Sequence, residues 1–297
     1  MFEIKTFRMD IVDKAKTLSE DTRLFIGSIR RIETPNTVVF LREYILQSRP
    51  VILTDVSTNW RAMKCWDFDY LTNVIKDNMV SIAVTPDGLA DAVVNGAFQL
   101  PEERTMSFSE FMKKVKNPGD EIFYLQKQNN CLREEYPELA KDVPPEISFF
   151  SEALGTEPDA INLWIGGEKS MSSLHRDPYE NLYTVIRGQK RFVIYPPTDR
   201  VYMKYESFPV VRLKLVNGSW SRVAEPDLES VQWIAKKPEI EPYEVLVNPG
   251  ETLYLPAGWF HQVYQSDKTI AVNYWYDRIY DQSYTKETFV NSVLESL

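Results

Sequence analysis

The second half of the chain, from residue 121 onward, consists of short apolar segments separated by turn residues. The segments have the length of buried β-strands and are rich in Ile, Val, Leu, Tyr and Phe, whereas Gly, Pro, Asn and Asp cluster between them. Many short strands at this spacing indicate a mainly β protein with a double-stranded β-helix (jelly-roll) core and flanking helices. The predicted strands are 122–126, 161–165, 182–186, 191–195, 243–247, 252–255, 261–264 and 269–275.

Three of the connections are short enough to predict β-hairpins. Residues 187–190 and 248–251 are turn-forming segments between two predicted strands. A third hairpin is predicted for strands 261–264 and 269–275. Each hairpin implies that the two strands are hydrogen-bonded to each other.

The first half of the chain mixes helices with strands. Apolar residues recur at helical spacing in three segments, and two apolar runs between them have the character of strands. The predicted helices are 37–47, 66–76 and 108–115, and the predicted strands are 49–54 and 80–84.

The C-terminal residues 284–297 have the pattern of an amphipathic helix. Its apolar side packs on its own domain or forms a homodimer contact, and it consists of Phe289, Val290, Val293, Leu294 and Leu297. The expected organisation is therefore an N-terminal helical lead-in (1–41), a main domain (42–283, core about 121–278) and a C-terminal helix (284–297).

The charge and composition restrict the partners. A net charge of −9 and a pI of about 5.0 disfavour nucleic acid, whose phosphates an acidic surface repels, and favour a protein substrate with a basic segment. No apolar run reaches the roughly 18 residues of a membrane span, and no signal peptide precedes residue 21. We expect a cytoplasmic protein, with the nucleus as a second location. Cys65 and Cys131 are too few for a disulfide framework or a thiolate metal site.

The chain contains two histidines, His175 and His261, and one of them is followed closely by a carboxylate. His175 and Asp177 are two residues apart in a strand-like segment, so their side chains project from the same face. Two imidazoles and one carboxylate on one face of an octahedron leave three positions open, as in non-haem iron(II) oxygenases. His-Arg-Asp also occurs in protein kinases, but the Asn five positions after the Asp and the glycine-rich loop are missing here.

Five polar residues elsewhere fit the same chemistry. A buried ammonium at Lys190 would bind the far carboxylate of a dicarboxylate cosubstrate. Ser172 and Tyr124 would add hydroxyl donors to that carboxylate. Asn181 and Asn273 would hold the near carboxylate or shape the dioxygen side of the pocket. Singly, each has an ordinary explanation, such as a lysine at a hairpin tip, and it is their combination that favours a site.

Four segments together resemble the Jumonji-C family of cupin-like proteins, and the resemblance extends from about residue 42 to the C-terminus. It implies an iron(II)- and 2-oxoglutarate-dependent dioxygenase with dioxygen as the oxidant, and assigns metal binding and catalysis to His175, Asp177 and His261. It also implies that 2-oxoglutarate is anchored by Lys190 and by Ser172, where the family more usually has Thr. The segments are SSLHRDPYENLY (172–183), GQKRF (188–192), LPAGWFH (255–261) and AVNYWY (271–276).

Two more segments, SIAVTPDGLADAV (81–93) and YLQKQ (124–128), are similar to a lysyl-hydroxylase branch of the family that acts on GTPases. That similarity implies hydroxylation of a lysine side chain in a protein such as a GTPase. Three alternatives stay open: a histone lysine demethylase, a Jumonji-type histone-tail endopeptidase or non-catalytic binding protein, and an RNA hydroxylase, which the negative charge disfavours.

A lysine substrate must lose water around its ammonium group, so a nearby carboxylate should compensate. The turn at residues 85–91 carries Asp87 and Asp91, and either is expected at the mouth of the pocket, together with Trp275 as a further substrate-contacting residue. The alternative is that 85–91 is a solvated hairpin.

Overall fold

The structure is a computed structural model that describes residues 2–295, with side chains over 10–281 and 284–295. A π-helical turn, Leu41–Ile45, continues directly from the second helix, and a 3₁₀ helix occupies Pro197–Tyr202. None of the helices in the described range combines the length and apolarity needed to cross a bilayer. The α-helices are α1 (Phe2–Ile26), α2 (Thr37–Phe40), α3 (Arg61–Cys65), α4 (Phe68–Ile75), α5 (Phe108–Lys116), α6 (Cys131–Glu134), α7 (Pro137–Ala140), α8 (Ser148–Leu154) and α9 (Gln282–Glu295).

Side-chain caps fix where two of the helices begin. Asp67 accepts a hydrogen bond from Tyr70 N ahead of α4, and Ser107 accepts one from Glu110 N ahead of α5. Residues 296 and 297 of the predicted C-terminal helix, and with them Leu297, lie outside the described residues. The other predictions from apolar spacing are confirmed with small shifts: α2 and its π-helical extension for 37–47, α4 for 66–76, α5 for 108–115 and α9 for 284–297.

The strands form one nine-stranded sheet and two five-stranded sheets. The first sheet has nine strands in the order β1-β2-β17-β11-β19-β9-β8-β3-β7, and the second has five, β16-β12-β18-β10-β4. The third has the order β14-β13-β6-β5, with β15 also paired to β13. The strands are β1 (Arg31–Ile32), β2 (Val51–Leu53), β3 (Met79–Thr85), β4 (Leu89–Ala90), β5 (Ala92–Val94), β6 (Ala97–Leu100), β7 (Glu102–Ser107), β8 (Ile122–Leu125), β9 (Ala160–Gly166), β10 (Met171–Arg176), β11 (Tyr179–Arg187), β12 (Lys190–Tyr195), β13 (Tyr205–Val216), β14 (Ser219–Ala224), β15 (Ser230–Ile234), β16 (Tyr243–Val247), β17 (Thr252–Leu255), β18 (Phe260–Gln265) and β19 (Thr269–Asp277).

The nine-stranded sheet is buried on both faces, and residue parity decides what each side chain meets. On β11, Leu182 and Ile186 belong to the core shared with the helices, whereas Tyr183 and Val185 belong to the core shared with the five-stranded sheet. The second core also contains Phe192 and other residues of β12, β16 and β18, so the two sheets face each other. The predicted jelly-roll core with flanking helices is therefore confirmed.

The three predicted hairpins are wrong in their pairing, although their strands are present. β11 lies in the nine-stranded sheet and β12 in the five-stranded sheet, and the same division separates β17 from β16 and β19 from β18. The turns at 187–190 and 248–251 therefore carry the chain from one sheet to the other. A turn within one sheet and a turn between two facing sheets have the same short length and the same alternating apolar residues on either side. The sequence does not distinguish them, because the same side chains are buried in both arrangements.

The sequence analysis missed β1 and β7 at the edges of the nine-stranded sheet, β4 at the edge of the second sheet, and all five strands of the third sheet. β4 lies within the predicted turn at 85–91, and β5 and β6 follow it directly. β14 is largely exposed and carries charged and polar residues, so apolar periodicity gave no signal there. These strands build one wall of the cleft described below.

Candidate metal centre and cosubstrate chamber

The two histidines meet because their strands are neighbours. β10 and β18 pair antiparallel, and His175 and His261 are direct partners in that pairing. The register is irregular between Ser172 and His175, which turns the end of β10 toward the space between the sheets. Asp177 follows in the crossing to β11, so one short segment supplies two of the three predicted ligands.

The three side chains converge on a single point. Nε2 of His175 lies 3.7 Å from Oδ2 of Asp177, and Nε2 of His261 lies 3.5 Å from the same oxygen. One candidate ligand atom from each residue falls within 4.8 Å of the others. These separations suit a common ion, because two ligands at about 2.0–2.2 Å from a metal lie about 3 Å apart, and somewhat farther when the site is open.

Both imidazoles are oriented by backbone carbonyls. Nδ1 of His175 lies 2.6 Å from the carbonyl oxygen of Ser173, and Nδ1 of His261 lies 3.0 Å from that of Trp259. Donation from Nδ1–H leaves the lone pair of each Nε2 for a metal. Burial, followed by the proximity of His175, lowers the pKa of His261 to about 4. His261 is therefore neutral at physiological pH, the state that a metal ligand requires.

Behind the metal centre lies a narrow chamber lined by Tyr124 and Tyr183, and Nζ of Lys190 lies 5.1 Å and 5.9 Å from the centres of those two rings. The side chain of Lys190 is fully buried, and no carboxylate in the described part of the chain forms an ion pair with it. Its Nζ donates to the hydroxyl of Tyr124 at 3.0 Å. Burial lowers the pKa of Lys190 to about 7. An amine held in this way lacks an anionic partner, which a bound dicarboxylate would supply.

Two further polar groups in the chamber lack a protein partner. The hydroxyl of Tyr183 and Nε1 of Trp275 are buried without a hydrogen bond, and both residues line the space beside the metal centre. Unpaired buried donors are uncommon in folded proteins and call for a ligand or a water molecule. These two donors line the chamber, and the amine of Lys190 lies beside it on the hydroxyl of the lining residue Tyr124. This donor set fits 2-oxoglutarate, which carries only oxygen acceptors.

The two predicted asparagines are part of one hydrogen-bonded row. Nε1 of Trp164 donates to Oδ1 of Asn273 at 2.8 Å, and Nδ2 of Asn273 donates to Oδ1 of Asn181 at 3.1 Å. The row assigns both amide orientations, because each acceptor oxygen faces a donor. Asn181 and Asn273 line the chamber beside the metal ligands, where the sequence placed them.

The predicted hydroxyl groups lie at the same end as Lys190. Burial raises the pKa of Tyr124, and the adjacent hydroxyl of Ser172 opposes that shift. Because Tyr124 accepts from Lys190, its own proton is free to donate. Ser172 lines both the chamber and the cleft outside it.

A cleft of about 650 Å³ opens above His175 and Asp177. Asp91 lines it, half-buried, with Oδ2 accepting a hydrogen bond from Nε2 of Gln126 at 3.2 Å. Asp87 does not line the cleft: it is exposed, and Oδ1 accepts from Leu89 N at 3.0 Å within the turn. Of the two predicted carboxylates, only Asp91 is thus brought to the mouth of the site.

Trp275, the third residue predicted to contact substrate, lies deeper. Its ring stacks on Tyr179 at a centroid distance of 4.9 Å and lines the chamber instead of the cleft. The sequence analysis missed Tyr183 and Trp164 altogether. Both lie on the inner face by strand parity, and Tyr183 is two residues after Asn181 on β11, which was the available signal.

Comparison with known proteins agrees with this geometry. A family model described as a cupin-like domain matches residues 37–282. The human "Bifunctional peptidase and (3S)-lysyl hydroxylase JMJD7" is 37% identical over 279 residues, 88% of this chain and 88% of the human protein. "JmjC domain-containing protein E" of Dictyostelium discoideum is 36% identical, covering 95% and 92% of the two chains. "Lysine-specific demethylase JMJ32" of Arabidopsis thaliana is 37% identical, covering 88% and 84%.

Proposed function

This chain belongs to the JmjC family of cupin-like proteins, and from that premise we propose that it is an iron(II)- and 2-oxoglutarate-dependent protein hydroxylase. The observation that carries the proposal is that His175, Asp177 and His261 line the same chamber as Tyr124, whose hydroxyl accepts a hydrogen bond from the buried amine of Lys190. JmjC proteins typically use iron(II) and 2-oxoglutarate. The donor set described above matches what both require.

In this proposal the three side chains hold iron(II) on one face and leave the other face to cosubstrate, dioxygen and substrate. When bound, iron together with 2-oxoglutarate and dioxygen supplies the oxidising power for hydroxylating an unactivated C–H bond. The contribution of the protein is to hold the metal ligands in fixed orientations. Nδ1 of each imidazole is fixed by a carbonyl, so neither ring rotates as ligands exchange.

In this proposal Lys190 selects the cosubstrate through its positive charge and through its buried position. A carboxylate arriving next to Nζ restores the protonated amine that burial disfavours, so binding of a dicarboxylate is linked to proton uptake above about pH 7. A monocarboxylic 2-oxo acid has no group to place there and leaves the amine unpaired. The hydroxyl groups of Tyr124 and Ser172 add donors at the same end.

For the substrate we propose a lysine side chain, hydroxylated on carbon. Three cations line the outer cleft, and each is paired with a carboxylate that does not: Lys127 with Glu135 at 2.7 Å, Arg176 with Glu287 at 3.6 Å and Arg212 with Glu225 at 2.7 Å. The lining positive charge is therefore neutralised by the protein itself.

Asp91 and Glu103 are lining carboxylates that have no cationic partner among the described residues, and of the two it is Asp91 that contacts the metal-ligand strand. Its backbone φ of 52° is in the left-handed region, which Asp tolerates better than most residues, and its carbonyl oxygen accepts a hydrogen bond from Ser173 Oγ. The carboxylate is thus held beside the metal-ligand strand with only the neutral amide of Gln126 to satisfy it. A substrate ammonium would complete this site.

A second candidate reaction is demethylation of an N-methylated lysine, favoured by the similarity to the Arabidopsis relative, which is named as a lysine-specific demethylase. It needs the same iron chemistry, with the hydroxyl group placed on a methyl carbon. The human relative's name also includes a peptidase. The three predicted ligands and the cleft are shared by all three reactions, so the product distinguishes them.

The test is incubation of the purified protein with iron(II), 2-oxoglutarate and degenerate peptide libraries that have a fixed central Lys, trimethyl-Lys, Arg or norleucine. We expect a gain of one oxygen on the central Lys, with stoichiometric succinate. Loss of a methyl carbon from trimethyl-Lys would support demethylation, and shortened peptides would support the peptidase. Absence of any peptide-stimulated 2-oxoglutarate turnover would contradict an oxygenase.

The role of Asp91 is tested in the same libraries with Asp91→Asn, and the exposed Asp87→Asn is the matched control. Asp91→Asn is expected to raise the KM for the Lys library about tenfold, because a charge-assisted hydrogen bond of about 1.5–3 kcal/mol is replaced by a neutral one. Peptide-independent 2-oxoglutarate turnover should stay unchanged. Equal KM values for the two variants would remove Asp91 from substrate binding.

A further inference from the structure

The C-terminal helix reaches back to both segments that supply the metal ligands. Glu287 of α9 lies with Oε1 3.6 Å from Nη1 of Arg176, the residue between His175 and Asp177. Its other oxygen, Oε2, accepts a hydrogen bond from Nη1 of Arg278 at 3.0 Å. The side chain of Glu287 is largely buried, with about 19% exposed, so this contact is shielded from solvent more than a surface ion pair is.

The same carboxylate also packs against the turn before His261. Gly258 in that turn has a φ of 80°, and a Cβ added there would meet Oε1 of Glu287 at 2.9 Å. The left-handed backbone favours glycine at this position, and a side chain there would displace the end of Glu287. Gly258 N in turn donates to the carbonyl oxygen of Asp177 at 2.8 Å. Glu287 thus rests on a turn that is hydrogen-bonded to one ligand and precedes another.

The contact between Glu287 and Arg176 is also linked to the third ligand, His261, through the pairing of β10 with β18. Arg176 and Phe260 are partners in the pairing of β10 with β18, and the guanidinium carbon of Arg176 lies 5.3 Å from the centre of the Phe260 ring. Phe260 is the neighbour of His261 in sequence. A shift of Arg176 would therefore be felt at His175, Asp177 and, through Phe260, at His261.

The opposite side of the turn has its own support, which makes Glu287 the remaining fixed point. Oε2 of Glu180 accepts hydrogen bonds from the hydroxyl of Tyr254 at 2.7 Å and from Ala257 N at 3.3 Å. The turn at 256–258 is thereby held from within the nine-stranded sheet by Glu180 and from outside by α9.

We propose that Glu287 is a positioning residue of the metal centre, through which the docking of α9 sets the geometry and affinity of the metal site. The inference rests on the proposed metal role of His175, Asp177 and His261. Arg278 anchors the carboxylate, Arg176 transmits its position to β10, and Gly258 transmits it to the turn before β18. When α9 is not docked, the three ligands remain on their segments, but the distances between their ligand atoms are no longer fixed.

The experiment is an equilibrium titration of the metal-free, full-length protein with cobalt(II), whose visible absorption reports both occupancy and ligand geometry. Glu287→Gln keeps the size and removes the charge, and we expect it to weaken cobalt(II) binding about tenfold, as losses outside the ligand set typically do. The absorption band should also change in shape. The matched control is Glu239→Gln, which removes the carboxylate of an exposed ion pair with Lys236, and it should change neither.

Arg176→Gln breaks the same contact from the strand side and keeps the test decisive if α9 fails to form in the first variant. We expect the same loss of cobalt(II) affinity, and a double variant that loses no more than either single one, because both remove one interaction. Cobalt(II) affinities within twofold of the parent for both single variants would overturn the proposal while leaving the metal site intact. A parent protein that binds no stoichiometric cobalt(II) would overturn the metal site and this role of Glu287 together.

Discussion

The chamber behind the metal centre and the cleft that contains Asp91 are adjacent, yet they are built on opposite principles. In the chamber, the hydroxyl of Tyr183 and the indole NH of Trp275 are buried without a hydrogen-bond partner among the described residues, and the buried amine of Lys190 beside it has only the neutral hydroxyl of Tyr124. In the cleft, the three lining cations Lys127, Arg176 and Arg212 are each paired with a carboxylate of the same chain. The lining carboxylates of Asp91 and Glu103 have no ion pair among the described residues.

This difference bears on how selective each of the two regions is for its ligand. Each unsatisfied donor in the chamber has a free-energy cost that a ligand with matching acceptors removes, and under the proposed function that ligand is a small dicarboxylate. The cleft has a volume of about 650 Å³ and few unsatisfied polar groups, so the proposed protein substrate would be recognised there by few contacts.

The largest expected effect concerns the boundary between the two regions, where the metal ligands lie. Replacing His175, Asp177 or His261 by Ala is expected to abolish 2-oxoglutarate turnover, because a three-ligand site has no spare protein donor. The measurement is succinate formation, with circular dichroism to verify folding. Substantial turnover by any one of the three variants would mean that the metal is held elsewhere.

The next effect separates the chamber from the cleft. Lys190→Met removes the amine but keeps an unbranched side chain, and it should weaken 2-oxoglutarate binding by a hundredfold or more, since breaking a buried ion pair costs about 3–5 kcal/mol. Cobalt(II) binding should stay within twofold. The exposed Lys204→Met is the control for losing a positive charge. Equal cosubstrate affinities in the two variants would make Lys190 a structural residue.

The lowered pKa of Lys190 predicts how the stability of the ligand-free protein depends on pH. The pKa is about 7 in the folded chain and about 10.4 when unfolded. Between these values the unfolded state binds one more proton, so the free energy of unfolding rises with pH by up to about 1.4 kcal/mol per pH unit. The free energy of unfolding of the parent minus that of Lys190→Met, measured by denaturation between pH 7 and 9, should rise with this slope. A flat difference would place the amine in contact with water.

The smallest effect concerns a single hydroxyl group. Tyr183→Phe should weaken 2-oxoglutarate binding about threefold to tenfold, the equivalent of one hydrogen bond of about 0.5–1.5 kcal/mol, with no loss of ligand-free stability. Tyr195→Phe is the matched control, because its hydroxyl is also buried and unpaired but does not line the chamber. If Tyr195→Phe lowered the affinity equally, the effect would not come from the chamber.

The metal ligands were predictable because the chain contains two histidines, one of them two residues before Asp177, and Lys190 was predicted from the combination of polar residues and from the family resemblance. Asn181 and Asn273 lie on the inner faces of β11 and β19, on the same side as Tyr183 and Ala271. The prediction that failed concerns pairing. Turns at 187–190 and 248–251 have ordinary hairpin sequences, but which sheet a strand joins depends on long-range packing that no local pattern encodes.

The cleft was the least predictable region for the same reason. Asp87 and Asp91 are equivalent in the sequence of the turn, and only the strands β4, β5 and β6 direct one to solvent and the other to the metal centre. Glu287 lies more than a hundred residues from Arg176 and carries no motif. Its role follows from the docking of α9, which apolar periodicity predicts as a helix but does not orient.

The central claim is that one connected site holds iron(II) through His175, Asp177 and His261 and 2-oxoglutarate through Lys190. It is tested most directly by an anaerobic titration of the iron(II)-loaded protein with 2-oxoglutarate, followed by the visible charge-transfer absorption of a 2-oxo acid chelated to iron(II). We predict saturation at one equivalent in the parent, a midpoint at least about a hundredfold higher in Lys190→Met, and no band in Asp177→Ala. A parent without the band, or a Lys190→Met midpoint equal to that of the parent, would contradict it.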